Sequence, residues 1–489
     1  MQPGEAVARP ATAPARLHGL GFAVWAFAAA VGVLIHEWQR AQPATVLTAV
    51  EIVLAAGVLL RPWSVLRVVA LLVSFALELA VDLPDVVNHV LIMGTVSVVV
   101  LIWWLLTMRR SPTDARDPGH LYGAIAPFLR FAFVFVLYAA AFAKLNSGFL
   151  DPVTTCSVWV LDNIPLLTIP KGLVGLTIAG AIIVEFAIPT LLLFRQTRIL
   201  GIVVGIGFGV VTAAAGFAPF AGFGWSFYVL FIPPGTLGRV LVTVRRVIGT
   251  TAWRRLMDAS SSPVAWIALA AALLLAMGFM QIAPRPFVAL AKGYGATLVF
   301  CFWALFWVVL LLKNVRHWAH APHPGGRTFG AGHPIFALAL VLLVINAASP
   351  YLGLKTRFSF TMFSNLQTEP GRWNHVIVPE AFRIFGLQQG LVRFDDISDP
   401  DLEAEVEIYS GPRRWSSVAT GSDSAWVVLA AAQRLASRYP NAIVRYELDG
   451  QARVASPVAS DPILGASVPP LIQKLGGFRP VELEDACQL

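Results

Sequence analysis

Lys144 stands where a cation is costly. It closes the apolar run Phe128-Leu-Arg-Phe-Ala-Phe-Val-Phe-Val-Leu-Tyr-Ala-Ala-Ala-Phe-Ala143 and opens the phrase Lys144-Leu-Asn-Ser-Gly-Phe-Leu-Asp-Pro152. A cation at mid-membrane costs about 2.5–3.5 kcal/mol on insertion scales, less near a helix end. A desolvated amine holds its proton less tightly, which is the property a lysine general base needs. The plainer role is a lysine that snorkels to the membrane edge. Glu185 lies deep in Ile182-Ile-Val-Glu-Phe-Ala-Ile-Pro189. Ionisable groups at such depth face a bundle interior or a wet cavity and pair there, either for chemistry or as a satisfied interhelical contact.

Further polar groups gather at the same ends of the apolar segments: His36 and Glu37, Glu51, Glu78 and Asp82, Asn88 and His89. Glu78 and Asp82 are four residues apart and share a helix face. His36, Glu78, Asp82 and His89 are candidate ligands for a substrate or cofactor. Asn146 is placed either to orient a group beside Lys144 or to cap the chain where the helix ends. Asn374 and His375, with Glu369, follow the last apolar segment and could belong to the same site or to an ordinary loop. Arg130 falls fourteen residues before Lys144, about 40° off its face, and suits a structural or headgroup contact at the opposite end.

The elements that must position these residues are membrane helices. The chain is 57% hydrophobic and only 13% charged, with mean hydropathy +0.70, which excludes an ordinary soluble domain. The net charge of +8 does not indicate nucleic acid, because the arginines sit in short connections between apolar segments. About eleven spans are expected, near 20–37, 44–60, 64–81, 88–107, 121–144, 172–194, 199–216, 222–237, 263–282, 293–312 and 334–349. Residues 1–19 read as an N-terminal tail. Leu34-Ile-His-Glu-Trp38 is a poor cleavage site, so the first span is expected to be retained.

Alternate connections differ in charge. One set holds most of the Lys and Arg, including Arg9, Arg16, Arg109-Arg110, Arg245-Arg246 and Arg254-Arg255. The positive-inside bias puts that set in the cytoplasm, with the N-terminus inside and the end of the last span outside. Lys144 and the polar ends then face outward. The expected fold is an all-α polytopic bundle over 20–350 with a small α+β extracytoplasmic domain over 351–489. In that tail Ala425–Arg438 reads as an amphipathic helix, Ala442–Leu448 as a strand and Asp449-Gly450 as a hairpin turn.

The three cysteines make no metal motif and no disulfide framework, and haem and iron–sulfur spacings are absent. Cys156 and Cys487 would share an oxidising compartment, where they could pair or stay as free thiols. Cys301 lies within a span.

Three stretches carry a resemblance. Phe142-Ala-Lys-Leu-Asn-Ser-Gly-Phe-Leu-Asp-Pro152 with Cys156-Ser157 resembles the Lys-Leu-Asn/Asp signature of HTTM membrane proteins, which include the vitamin K-dependent γ-glutamyl carboxylases. Glu185, Pro189 and Leu191-Leu-Leu-Phe-Arg-Gln-Thr-Arg-Ile-Leu-Gly201 resemble the acidic, Leu-rich element that follows it there. Thr361-Met-Phe-Ser-Asn-Leu-Gln-Thr-Glu369 with Asn374-His375 is similar to the segment after the last span in bacterial relatives. The likeness covers roughly residues 15–380, in matching order.

The resemblance implies that Lys144 is the base that deprotonates a reduced vitamin K-like quinol or menaquinol, with O2 and CO2 as co-substrates. It implies a protein or small-molecule carboxylate as the carboxyl acceptor, and Glu185 as a paired acid. One position departs: Gly209 stands where the carboxylases carry a histidine, and the large lumenal propeptide-binding region has no counterpart. The expected setting is a bacterial-type inner membrane, with membrane lipid and quinone as partners and no nucleic acid. A scaffold or lipid-binding protein that keeps the bundle is the alternative. A transporter is a third class, suited by the Gly/Pro-broken spans, but no inverted repeat is visible.

Overall fold

The computed structural model describes residues 13–40, 45–84, 86–164, 167–315, 318, 328–369, 371–409, 426–467, 469–478 and 487. Arg9 of the charge pattern lies outside them. Its first helices are α1 (Ala13–Gln39), α2 (Val46–Leu60), α3 (Val65–Asp82), α4 (Asn88–Arg110) and α5 (Pro118–Ala143). There follow α6 (Val174–Leu193), α7 (Arg198–Thr212), α8 (Ala218–Tyr228), α9 (Pro263–Ile282), α10 (Ala296–Lys313) and α11 (Pro334–Leu352). Among the described residues seven helical segments are long and apolar enough to cross a membrane. The protein is membrane-embedded in that sense.

The remaining expected spans are helical too, and each misses that class for a visible reason. Helix α2 and the apolar stretch Thr297–Lys313 are short. Helix α3 carries Arg67, Glu78 and Asp82. The stretch 199–216 and most of 222–237 fall within one run, Arg198–Phe231; 222–237 runs on past a break at Ile232-Pro233 into the helix Pro234–Ile248. Gly216, at φ 98°, turns that run back on itself, a backbone state that only glycine adopts freely. Helices α7 and α8 therefore form a hairpin, in which Gly205 lies against Tyr228 and Gly209 against Ala221.

Helix α5 starts where Asp117 accepts hydrogen bonds from the amides of Gly119 and His120, with Pro118 in the first turn. Helices α1 and α8 cross closely at Gly32 and Gly222, the small-residue contact that lets membrane helices approach. Aromatic pairs fill the core: Phe128 stacks on Phe336 at 4.8 Å and Phe133 on Phe227 at 4.9 Å. Arg130 is structural, donating to the carbonyls of Leu230 (2.8 Å) and Thr328 (3.3 Å).

The tail folds as α+β. Strands β1 (Leu391–Ile397), β2 (Trp426–Val428), β3 (Val444–Leu448) and β4 (Gln451–Ala455) form an antiparallel sheet in the order β2-β1-β3-β4. Helices α12 (Pro400–Tyr409) and α13 (Leu429–Ala436) pack on it. The hairpin turn falls at Asp449-Gly450, both at positive φ (49° and 85°) as the tight mirror-image turn demands. The expected helix from Ala425 is shorter: Trp426–Val428 is strand, because pairing with β1 buries Val427 and Val428 before the helix begins.

Candidate functional site

Lys144 ends α5 and Glu185 lies on α6, and their side chains meet. Lys144 Nζ is 2.9 Å from Glu185 Oε2, with the two side chains 5% and 12% exposed. The ammonium also donates to the Met362 carbonyl at 2.9 Å and lies 5.8 Å from the centre of the Phe149 ring. Pro189, four residues after Glu185, has no N–H to give the Glu185 carbonyl, so the α6 ladder is interrupted at this residue. The sequence pattern named both partners; only the fold shows that they touch.

The Met362 carbonyl belongs to a strap of chain that crosses this end of the bundle. Four non-glycine residues in it have positive φ: Phe358 (57°), Phe360 (62°), Phe363 (48°) and Asn365 (53°). Each such residue costs on the order of 1–3 kcal/mol and persists only where its surroundings hold it. The grips are explicit. Asn88 Oδ1 accepts from the Phe360 amide (3.0 Å), and Lys355 Nζ (3.5 Å) and Asn346 Nδ2 (3.2 Å) donate to the Phe358 carbonyl. Asn365 accepts from the Cys156 amide (2.7 Å) and donates to the Thr154 carbonyl (2.8 Å). Burial pulls the Lys355 amine down to about 8.

Asn146, Asn374 and His375 come together, as anchors for the chain. Asn146 Oδ1 accepts from the Phe149 amide (2.8 Å), while its Nδ2 donates to the carbonyls of Ala143 and Ser364. Asn374 Nδ2 donates to the Asn365 carbonyl at 2.7 Å, and a β-bridge joins Asn146 to His375. His375 Nε2 donates to the Phe142 carbonyl (3.2 Å), and its Nδ1 accepts from the amides of Ile377 (3.2 Å) and Val378 (2.9 Å). Burial lowers the His375 pKa, with the Phe142 carbonyl opposing. Glu369 is fully buried, and its Oε2 accepts from the Thr368 amide at 2.9 Å. Cys156 and Cys487 are joined by a disulfide, which ties the end of the tail to the loop after Lys144.

His36, Glu78, Asp82 and His89 gather in a second cluster between α1, α3 and α4. His36 Nε2 meets Glu78 Oε1 at 3.1 Å, and His36 Nδ1 meets His89 Nε2 at 3.1 Å. Arg40 bridges Glu78 (3.1 Å) and Asp82 (3.1 Å). The strap links the two clusters: Phe360 bonds Asn88, next to His89, and Met362, two residues on, bonds Lys144.

A narrow cleft between α5, α7, α8 and α10 has an internal volume of about 20 Å³, room for about one water. Its walls are aromatic or glycine: Phe133, Phe208, Phe300, Tyr228, Gly205 and Gly209 are among them. The charge of Glu185 reaches Tyr228, which sequence reading had not singled out. At Gly209 the space a side chain would take is bounded by Phe300, 3.3 Å from a Cβ placed there.

These features define a polytopic helical membrane protein with a buried lysine–glutamate pair under a strained strap. No family model, curated protein or solved structure matches the chain.

Proposed function

We propose that this is a quinol-dependent membrane enzyme of the HTTM type, resembling the vitamin K-dependent carboxylases, with Lys144 as base. The observation that carries this reading is the 2.9 Å contact of Lys144 with Glu185, almost wholly withdrawn from solvent. Burial holds the amine and the carboxyl in direct contact, away from competing water. Lys144 then takes a proton from an acidic hydroxyl brought to it. The proton goes to Nζ, Glu185 stands against the resulting ammonium, and the Met362 carbonyl keeps Nζ aimed.

The cleft is lined largely by aromatic rings, and a flat apolar ring would enter it only if those side chains move apart. A reduced menaquinone or vitamin K-like quinol would supply the acidic hydroxyl and, with O2, a strong base able to open a carboxylate substrate to CO2. Gly209 brings no imidazole to this cleft, so proton handling in this reading rests on Lys144 and Glu185. The charge pattern supports a bacterial-type inner membrane with the N-terminus cytoplasmic and the tail extracytoplasmic.

A second reading has its own support. Both strong contacts of the Lys144 ammonium are to the protein's own groups, so a scaffold or lipid-binding protein could use Lys144 simply to pin the strap. Quinol oxidation by purified protein in detergent separates the two. Wild type is expected to consume O2 with added menaquinol, and Lys144→Met to lose at least about 100-fold, the usual contribution of a general base. Equal rates from both would leave Lys144 as a pin alone. A glutamate heavier by one carboxyl group would identify carboxylation.

A further inference from the structure

The cluster between α1, α2 and α3 gathers more carboxyl groups than basic partners. Glu37, Glu51 and Glu78 are each 1% exposed or less. Both oxygens of Glu37, both of Glu51 and Oε2 of Glu78 are buried with no hydrogen-bond donor among the described residues. Glu51 faces Glu37 carboxyl to carboxyl, an arrangement that needs a proton or a cation between them. Arg40 is the one guanidinium in the cluster, and its firmest grip is on Asp82, through both carboxylate oxygens at 3.1 and 3.3 Å. Its approach to Glu37 is longer, 3.7 Å.

We propose that this cluster is a binding site for one divalent transition-metal ion of the zinc class, held by His36 Nε2, Glu37 and Glu78, with water completing the shell. One donor atom from each of the first three lies within 4.8 Å of the others. His36 Nε2 is 3.1 Å from Glu78 Oε1 and 3.9 Å from Glu37 Oε1. Metal–ligand bonds of about 2.0–2.2 Å set tetrahedral donors about 3.3–3.6 Å apart, so the closure required is small. Mixed imidazole and carboxylate donors favour zinc-like ions over calcium or magnesium, which prefer all-oxygen shells.

His89 supplies the orienting contact that metal-bound histidines have. Without an ion, His36 Nε2–H donates to Glu78 and His89 Nε2–H donates to His36 Nδ1. With an ion on Nε2, both neutral rings change tautomer, and His36 Nδ1–H donates to His89 Nε2 across the same 3.1 Å. Arg40 keeps Asp82 when the ion takes its place at Glu37 and Glu78. Asp82, 27% exposed, marks the mouth. The ion cross-ties α1 and α3 near one membrane face. The site is independent of the quinol reading, since its occupancy is measured with no substrate present.

The test uses full-length protein without a histidine tag, stripped with EDTA in detergent, reloaded with Zn2+ and desalted. Elemental analysis is expected to give one ion per chain for wild type, and less than about a tenth of that for Glu37→Gln combined with Glu78→Gln. His89→Phe should weaken binding about 10–100-fold, the usual cost of losing an orienting partner. His317, His320 and His323 form a competing histidine-rich stretch outside the described residues, so their triple Gln variant is included and should keep its ion. X-ray absorption on zinc-loaded wild type needs no variant to fold. It should show one nitrogen and two or three oxygens at about 2.0–2.1 Å. An all-imidazole shell, no bound ion, or equal loading of the Glu37→Gln, Glu78→Gln double variant would each overturn the assignment.

Discussion

The buried pair gives a prediction in which the order of effects matters as much as their size. Lys144→Met and Glu185→Leu each remove one charge and keep much of the volume. Breaking a buried pair by removing one partner costs about 3–5 kcal/mol, because the other charge is left without compensation. Removing both leaves neither penalty, and replacement by packed apolar groups is often neutral or stabilising by about 1–4 kcal/mol. The two singles should differ. Glu185 is 12% exposed against 5% for Lys144, and a lone carboxyl can take up a proton and stay neutral. Lys144 left alone keeps only the Met362 carbonyl and the edge of Phe149. The expected order of destabilisation is Glu185→Leu, then Lys144→Met, then the double variant. The Met362 contact is lost with Lys144, so the double variant should still fall somewhat below wild type. Thermal unfolding in one detergent, followed by tryptophan fluorescence, measures all four proteins. Coupling should reach about 2–3 kcal/mol, the upper range for groups in one network. Effects that add to within about 0.5 kcal/mol would show that the two groups do not share a desolvated site, and the base assignment would go with them.

Other outcomes follow from single contacts. A Cβ at Gly205 would collide with the Tyr228 ring, so Gly205→Ala should displace Tyr228 from the cleft, cost about 1–3 kcal/mol and lower any quinol-dependent rate. Asn365→Ala removes the bonds to Cys156 and Thr154 and should loosen the strap by about 1–3 kcal/mol, read as faster proteolysis between residues 354 and 369. Cys156→Ser, or reductant on wild type, should cost about 2–4 kcal/mol, since the bond closes a loop of 331 residues; an unchanged melting temperature would contradict this. His375 has a folded pKa below its unfolded value, so its contribution is fully present above about pH 6.5 and is lost as pH falls through the folded value. Corrected hydrogen exchange at the Ile377 and Val378 amides should therefore quicken below about pH 6, and pH-independent protection there would refute the neutral-ring assignment.

Much of the architecture was legible because its cause is local. Membrane helices must satisfy their own backbone, so apolar length alone marks them, and the expected segments are largely helical, with 222–237 broken at Ile232-Pro233. Asp449-Gly450 marked its hairpin because that turn requires two residues tolerant of positive φ. The hairpin of α7 and α8 was less legible, since Gly216 is one of many glycines in that region and only its φ sets it apart. The span boundaries were legible, but what crosses a membrane depends on length and buried charge together, as α3 illustrates.

Candidate residues could be named from sequence wherever an ionisable group sat in an apolar run, because desolvation cost is a property of the run. Lys144, Glu185, His36, Glu78, Asp82 and His89 were found that way. Which of them touch is a different question. Lys144 and Glu185 are 41 residues apart, and His36 and Glu78 are 42 apart. Residues so far apart meet only through helix packing. Asn146, Asn374 and His375 were candidates of the same kind, and the fold uses their polar groups to hold backbone. Glu37 and Glu51 stood in the sequence as ordinary polar ends, and became buried carboxyls facing each other only when three helices closed around them. The sequence alone thus determined a membrane bundle, its soluble tail and a short roster of costly charges, since each follows from the free energy of placing a residue type in lipid. Tertiary structure decided the partners of those charges, because pairing depends on distances that no single helix contains.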